Sequence, residues 1–317
     1  MNDINDTPVW LITGCSSGLG RALAERVLAH GHRLIATARD PATLTDLVAA
    51  DPSRSRALAL DVADAAQAAP VVAQAAALFG RLDVVVNNAG YGLIGALEEY
   101  DEAQIARNFE TNFFGALRVI RAALPIMRAQ RRGHFVNISA AAAIENYPGF
   151  SVYGATKWAL EGLSESLAAE VRPLGLKVTI VQPGPFRTNF VARSLERAPG
   201  SISDYDLSSG KFRRLIETLN GRQPGDPARA ADAIINAVAA ENPPLRLVLG
   251  KYALDKARRK LAVATRELEA GTTAGLATDF LKTTYAPRRR RGASLSFKFK
   301  LKSGFSFASF RVFRGAG

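Results

Sequence analysis

The stretch VWLITGCSSGLGRALAERVLAHG, residues 9–31, decides the fold. It joins a short apolar run, Val9 to Thr13, to a helical pattern, Arg21 to His30, through a turn that holds Gly14, Gly18 and Gly20. A strand–turn–helix of this kind aims backbone N–H groups at the helix N-terminus, where a pyrophosphate binds, and only glycine lets the backbone come that close. Gly14, Ser16, Ser17, Gly18, Leu19 and Gly20 are therefore candidate cofactor contacts. Their spacing departs from G-x-G-x-x-G, so an ordinary tight turn is the competing reading of these residues alone.

Outward from this turn the alternation continues. Val9 to Thr13, Arg33 to Ala38, Arg56 to Asp61, Leu82 to Asn87, His134 to Ser139, Lys177 to Gln182 and Arg246 to Leu249 read as strands, several apolar on both faces. Helical patterns fill the gaps. The pattern predicts an α/β fold: a Rossmann-type doubly wound parallel sheet of about seven strands with helices on both faces. Asp40-Pro41 predicts an N-cap, and Pro125 predicts a kink or break in a long helix from Asp101 to Arg131. Phe186 to Asp226 is irregular and carries Phe186, Phe190, Leu195, Tyr205, Phe212 and Leu215, a length and composition that suit a lid.

The 317 residues, 48% of them hydrophobic, can build one large core. Apolar runs stop short of the ~20 residues that span a bilayer, and there is no leader-like N-terminus, so the expected setting is cytoplasmic. A lone Cys15 allows no intrachain disulfide, and His30, His32 and His134 stand at element ends, so no metal site is expected. The net charge of +12 is unevenly placed: ten basic and no acidic residues lie between Lys282 and Gly317, which leaves residues 1–281 at +2. The body offers no basic surface for nucleic acid. The expected organisation is one catalytic domain over 1–280 and a basic, Phe-rich tail over 281–317, peripheral or disordered, with binding to acidic surfaces as its alternative task.

Two further signals carry chemistry. The second strand ends Ala38-Arg39, where an acid would hold a ribose 2′-hydroxyl and where a guanidinium instead pairs with a 2′-phosphate, so NADP(H) is expected over NAD. Tyr153 and Lys157 stand one helical turn apart. A phenol titrates near ~10 and shuttles protons at neutral pH only when a cation stabilises its phenolate.

TGCSSGLG at 13–20, NNAG at 87–90, Asn112, Ser139, YGATK at 153–157 and Pro183-Gly184 occur in the order seen in the short-chain dehydrogenase/reductase family. The chain resembles that family from about Val9 to Ala270, and within it the branch similar to 17β-hydroxysteroid dehydrogenases. The resemblance implies that Tyr153 is the general acid/base, that Lys157 lowers its pKa and bonds the nicotinamide ribose, and that Ser139 holds the substrate oxygen. It implies that Asn112 anchors a proton-relaying water. Asn88, Ala89 and Gly90 would line the cofactor with Pro183 and Gly184, Asp61 and Val62 would meet the adenine, and Thr188 the carboxamide. Read without the family, Asp61 caps a strand end, Ser139 satisfies a turn and Cys15 is a small filler.

Tyr91, Leu93, Ile94, Ile144, Tyr147, Phe150 and the aromatic lid would wall a site for an apolar carbonyl or alcohol, with Glu145 either a polar contact or a solvated carboxylate. The implied activity is NADP(H)-dependent interconversion of an apolar ketone or aldehyde and its alcohol. The alternative is a catalytically silent NADP-binding sensor or scaffold on the same fold. The resemblance also implies a homodimer or homotetramer.

Overall fold

The computed structural model describes residues 7–280. The chain divides into two units, residues 1–265, which hold the sheet and its helices, and residues 266–317, of which 266–280 are described and continue helically to Leu276. The expected tail, 281–317, lies outside the described residues.

Seven parallel strands form the sheet: β1 (Val9–Ile12), β2 (Arg33–Ala38), β3 (Ser55–Ala59), β4 (Val84–Asn87), β6 (Gly133–Ile138), β7 (Leu176–Pro183) and β9 (Arg246–Leu249). A separate parallel pair joins β5 (Gly92–Ile94) to β8 (Leu195–Arg197). The main sheet runs β3-β2-β1-β4-β6-β7-β9. The winding therefore reverses between β1 and β4, the place where open α/β sheets leave a crevice for ligands. The helices are α1 (Gly18–Ala29), α2 (Thr45–Ala50), α3 (Ala68–Phe79), α4 (Glu102–Phe109), α5 (Ala116–Gln130), α6 (Ser151–Val171), α7 (Phe190–Arg193), α8 (Lys211–Thr218), α9 (Pro227–Ala239) and α10 (Lys251–Leu276).

Strand alternation divides the core in two. Trp10, Ile12, Leu34, Val86 and Val136 pack with Leu23 and Val27 of α1 and Ile234 of α9. Val9, Leu11, Ile35, Val85 and Phe135 pack on the other face with Val72 of α3, Val119 and Ala123 of α5 and Leu167 of α6. Apolar strands with two covered faces are what a parallel sheet requires.

Of the kink or break expected at Pro125, the break does not occur. Helix α5 runs through it, and both Pro125 and Arg121, whose carbonyl loses its partner, are on the exposed side, where water can satisfy that oxygen. The long helix is interrupted earlier, by a π-helical segment over Glu110–Gly115 that joins α4 to α5 and contains Asn112.

Candidate active site

At the carboxyl ends of the strands lies a cavity of about 1030 Å³. Its floor is the turn between β1 and α1. Gly14 has φ +72°, a left-handed value, and a Cβ there would stand 2.9 Å from Ala89 Cα. The turn thus rests directly on the segment after β4. Thr13 Oγ1 accepts from the N–H groups of Asn88 and Ala89, each at 3.0 Å, and Asn88 Nδ2 donates to the carbonyls of Thr13 at 2.8 Å and Gly14 at 3.0 Å. Asn88 lines the cavity while its amide braces the turn.

The first helical hydrogen bond of α1 runs from Arg21 N to Ser17 O at 3.2 Å, and Ser17 supplies no side-chain cap. The N–H groups of Gly18, Leu19 and Gly20 stand ahead of that ladder, the donor set an anionic phosphate fits. Ser16, Ser17, Gly18 and Leu19 line the cavity, whereas Gly20 is buried beneath Asn88. Arg39 lines it at the end of β2, exposed and with no carboxylate on it among the described residues. Asp40 is a cap, its Oδ1 accepting from Ala42 N at 2.9 Å over the turn Pro41–Leu44. Asp61 and Val62 line the cavity beyond β3, and Asp61 also caps, accepting from Ala63 N at 3.0 Å. Gly90, Pro183, Gly184 and Thr188 complete this half of the wall. The donors and the cradle fit the pyrophosphate of a dinucleotide.

Tyr153 and Lys157 occupy the first turns of α6, both buried and both lining the cavity. The Tyr153 ring meets Phe150 edge-on at 5.1 Å and Phe190 at 6.1 Å. Lys157 Nζ donates to Ile138 O at 2.9 Å and lies 6.0 Å from the Tyr153 ring centroid. Burial disfavours the charged form of each group: it pushes the Tyr153 phenol above its ordinary value and Lys157 down to about 8. Asn112 meets the pair at Gly90, where a Cβ would stand 2.8 Å from Asn112 Oδ1 and 3.4 Å from Lys157 Nζ.

Several expected residues make contacts that their implied roles did not include. Asn112 accepts from Tyr91 N at 2.9 Å and donates to Tyr91 O at 2.9 Å, to Thr156 Oγ1 at 3.2 Å and to Asn108 Oδ1 at 3.3 Å, so its amide is spent on protein. Ser139 lines the cavity, but its Oγ donates to the buried carboxylate of Glu161 at 2.6 Å. Leu93, Ile94 and Ile144 do not line the cavity, whereas Tyr91, Tyr147 and Phe150 do. Tyr205 leaves the lid's inner face to bond Glu98 Oε2 at 2.8 Å. Glu145 pairs at 3.8 Å with Lys256 of α10, whose ammonium lies 3.2 Å from the Tyr147 ring centroid. Glu161 and Gln223, which lines the cavity with a buried, unpartnered Oε1, fall in none of the motifs, and Thr13 enters one only as the first residue of TGCSSGLG. Glu161 was within reach, since it follows Lys157 by one helical turn.

The lid is ordered as α7, β8 and α8. Phe190, Val191, Leu195, Phe212, Ile216 and Leu219 line the cavity from it, and β8 ties it to the body through β5. At its base Gly225 N donates to Pro185 O at 3.1 Å. Tyr147 stacks on Phe212 at 4.8 Å, joining the lid to the far wall.

A model of the short chain dehydrogenase family matches residues 8–198. A 3-ketodihydrosphingosine reductase of Bacteroides thetaiotaomicron is 38% identical over 76% of this chain and 87% of its own. A short-chain dehydrogenase from Streptomyces avermitilis superposes with a TM-score of 0.82 at 45% identity, covering 86% of this chain and 99% of that one. A relative from Burkholderia phymatum was solved with NAD (TM-score 0.71, 25% identity, 81% and 93% covered) and a metagenomic oxidoreductase with NADP (0.60, 27%, 78% and 98%). The chain belongs to the short-chain dehydrogenase family. It is an oxidoreductase of CH–OH donors that works with a nicotinamide cofactor.

Proposed function

We propose that the chain uses NADP(H) to interconvert an apolar ketone or aldehyde and its alcohol, with Tyr153 as the acid/base. The observation that carries this reading is the meeting of Tyr153 and Lys157 with an apolar lid over one cavity. When bound, the nicotinamide supplies or takes the hydride. Tyr153 gives its proton to the carbonyl oxygen during reduction and recovers one from the alcohol during oxidation. Burial keeps the phenol protonated, which suits it to donate, and the ammonium of Lys157 compensates the phenolate left behind. Asn112 holds the Tyr91 backbone and thereby a part of the cavity wall. Glycine-turn amides grip the pyrophosphate, and Arg39 pairs with the 2′-phosphate.

The aromatic and aliphatic lid favours a bulky apolar substrate, in keeping with a lipid substrate in the name of the Bacteroides relative. A panel of apolar ketones, aldehydes and alcohols, followed near 340 nm with NADPH and NADH in parallel, tests this. Turnover confined to small polar substrates, or equal efficiency with both cofactors, overturns it.

A further inference from the structure

At the carboxyl end of β6, successive residues face different surroundings. Phe135, Asn137 and Ser139 point to the α6 side of the sheet: Asn137 Nδ2 donates to Ser164 Oγ at 2.7 Å and Ser139 Oγ to Glu161 Oε1 at 2.6 Å. Glu161 is itself buried and accepts from Gln182 Nε2 of β7 at 2.8 Å and 3.0 Å and from Arg246 Nε of β9 at 3.3 Å. A hydroxyl has one proton to donate, and a carboxylate is a stronger acceptor than a neutral carbonyl. For Ser139 to turn to a substrate oxygen, a buried carboxylate would have to give up a donor, which is unfavourable. The next residue, Ala140, packs in one apolar cluster with Tyr153 and Phe150, and it brings a methyl group.

We propose that Ser139 is a positioning residue and that Ala140, which offers no hydroxyl, leaves the substrate oxygen to Tyr153 with no second hydroxyl from this strand end. Lys157 and Glu161, one turn apart on α6, hold consecutive residues, the first through the carbonyl of Ile138, which ends β6, and the second through the hydroxyl of Ser139 just after it. The Ser139–Glu161 bond thus fixes the strand end against which Lys157 is set. The site trades a second hydrogen bond to the developing oxyanion for an apolar contact.

This rests on Tyr153 being the acid/base, so the test carries that control. The full-length chain is assayed in the reducing direction on a ketone it turns over, beside Tyr153→Phe, Ala140→Ser, Ala140→Cys, Ser139→Ala and Ser139→Thr. Ala140→Ser is expected to raise kcat/KM by roughly 10-fold, through kcat, as a fraction of the ~10²-fold to 10³-fold that a preorganised oxyanion donor supplies. Ala140→Cys, of similar size but a weak donor, should show no gain. Ser139→Ala should keep kcat within about 10-fold of the parent, lower Tm and shift the alkaline limb of the pH profile by loosening the seat of Lys157, and Ser139→Thr should restore both. A Ser139→Ala enzyme with unchanged Tm and a loss as deep as that of Tyr153→Phe would overturn the proposal, as would equal Ala140→Ser and Ala140→Cys variants. Should Ala140→Ser fail to fold by circular dichroism, the Ser139 pair decides alone. Retained turnover in Tyr153→Phe, by contrast, strikes the acid/base reading itself.

Discussion

The proposed acid/base and the proposed 2′-phosphate contact fall on two side chains, and each can be removed without the other. Tyr153→Phe deletes the hydroxyl and keeps a ring packed against Phe150 and Phe190, so turnover should fall by ~10²-fold to 10⁴-fold while NADPH still binds. Near-normal turnover would refute the proton-transfer role. Arg39 is exposed and carries no carboxylate among the described residues, so its guanidinium is available to a 2′-phosphate. Arg39→Asp should weaken NADPH by roughly 10-fold to 100-fold, the worth of one charge-assisted contact, and leave NADH bound as well or better. Fluorescence titration with both cofactors checks this, and an unchanged ratio would assign the selection to another residue. Tyr153, Lys157, Arg39 and the glycine turn were legible in the sequence because their spacing sets their geometry. Ser139 was not, because hydroxyl direction depends on Glu161, Gln182 and Arg246, which meet it only in three dimensions.

Among the elements, the seven main strands were readable as apolar runs between helical patterns, β2 and β9 at the expected ends and the others with ends displaced by at most two residues. The pair β5 and β8 was not, since three residues each, Gly92–Ile94 and Leu195–Arg197, are too few for a period to show. Yet that pair holds the lid. Gly92 N donates to Ser194 O at 2.8 Å, and a Cβ on Gly92 would stand 2.7 Å from Phe190 Cζ and 2.8 Å from Leu195 Cδ1. Both are side-chain ends that line the cavity, so they can yield only by moving into it or by lifting the lid. Gly92→Val should therefore raise KM for a bulky ketone about 10-fold, in line with the ~1–3 kcal/mol a hydrophobic pocket gives per misfitted group, and spare a small aldehyde. Equal effects on both substrates would mean that the lid does not sense substrate size. The π-helical turn at Glu110–Gly115 was equally invisible, because only the interruption of the hydrogen-bond ladder separates it from α4 and α5.

For the molecule as a whole, keeping a lysine in the cavity wall makes stability depend on pH in a definite direction. Lys157 titrates at about 8 in the folded chain against 10.5 for an unperturbed lysine, because burial disfavours its charge. Above about pH 8 the folded state has shed this proton while the unfolded state still binds it, so stability rises with pH, by up to ~1.4 kcal/mol per pH unit. Lys256, also lowered to about 8 by burial, adds in the same sense. Cys15 opposes them: buried and raised from 9.0 to about 12, it keeps its proton in the fold while the unfolded thiol loses it, so its contribution falls away above about pH 9. Burial raises Tyr153 and Tyr147 as well, and they act against stability higher still. The lysine effect is thus cleanest between about pH 8 and 9. Tm should climb across that window in the parent chain and climb less in Lys157→Met, whose cavity wall no longer carries the ammonium. Removing Lys157 also leaves the Ile138 carbonyl without its donor, a cost of ~1–3 kcal/mol that lowers Tm at every pH and so does not alter the slope. Calorimetric scans at closely spaced pH values separate the two effects, and a Lys157→Met chain with the parent's slope would show that this lysine is not held deprotonation-ready in the fold.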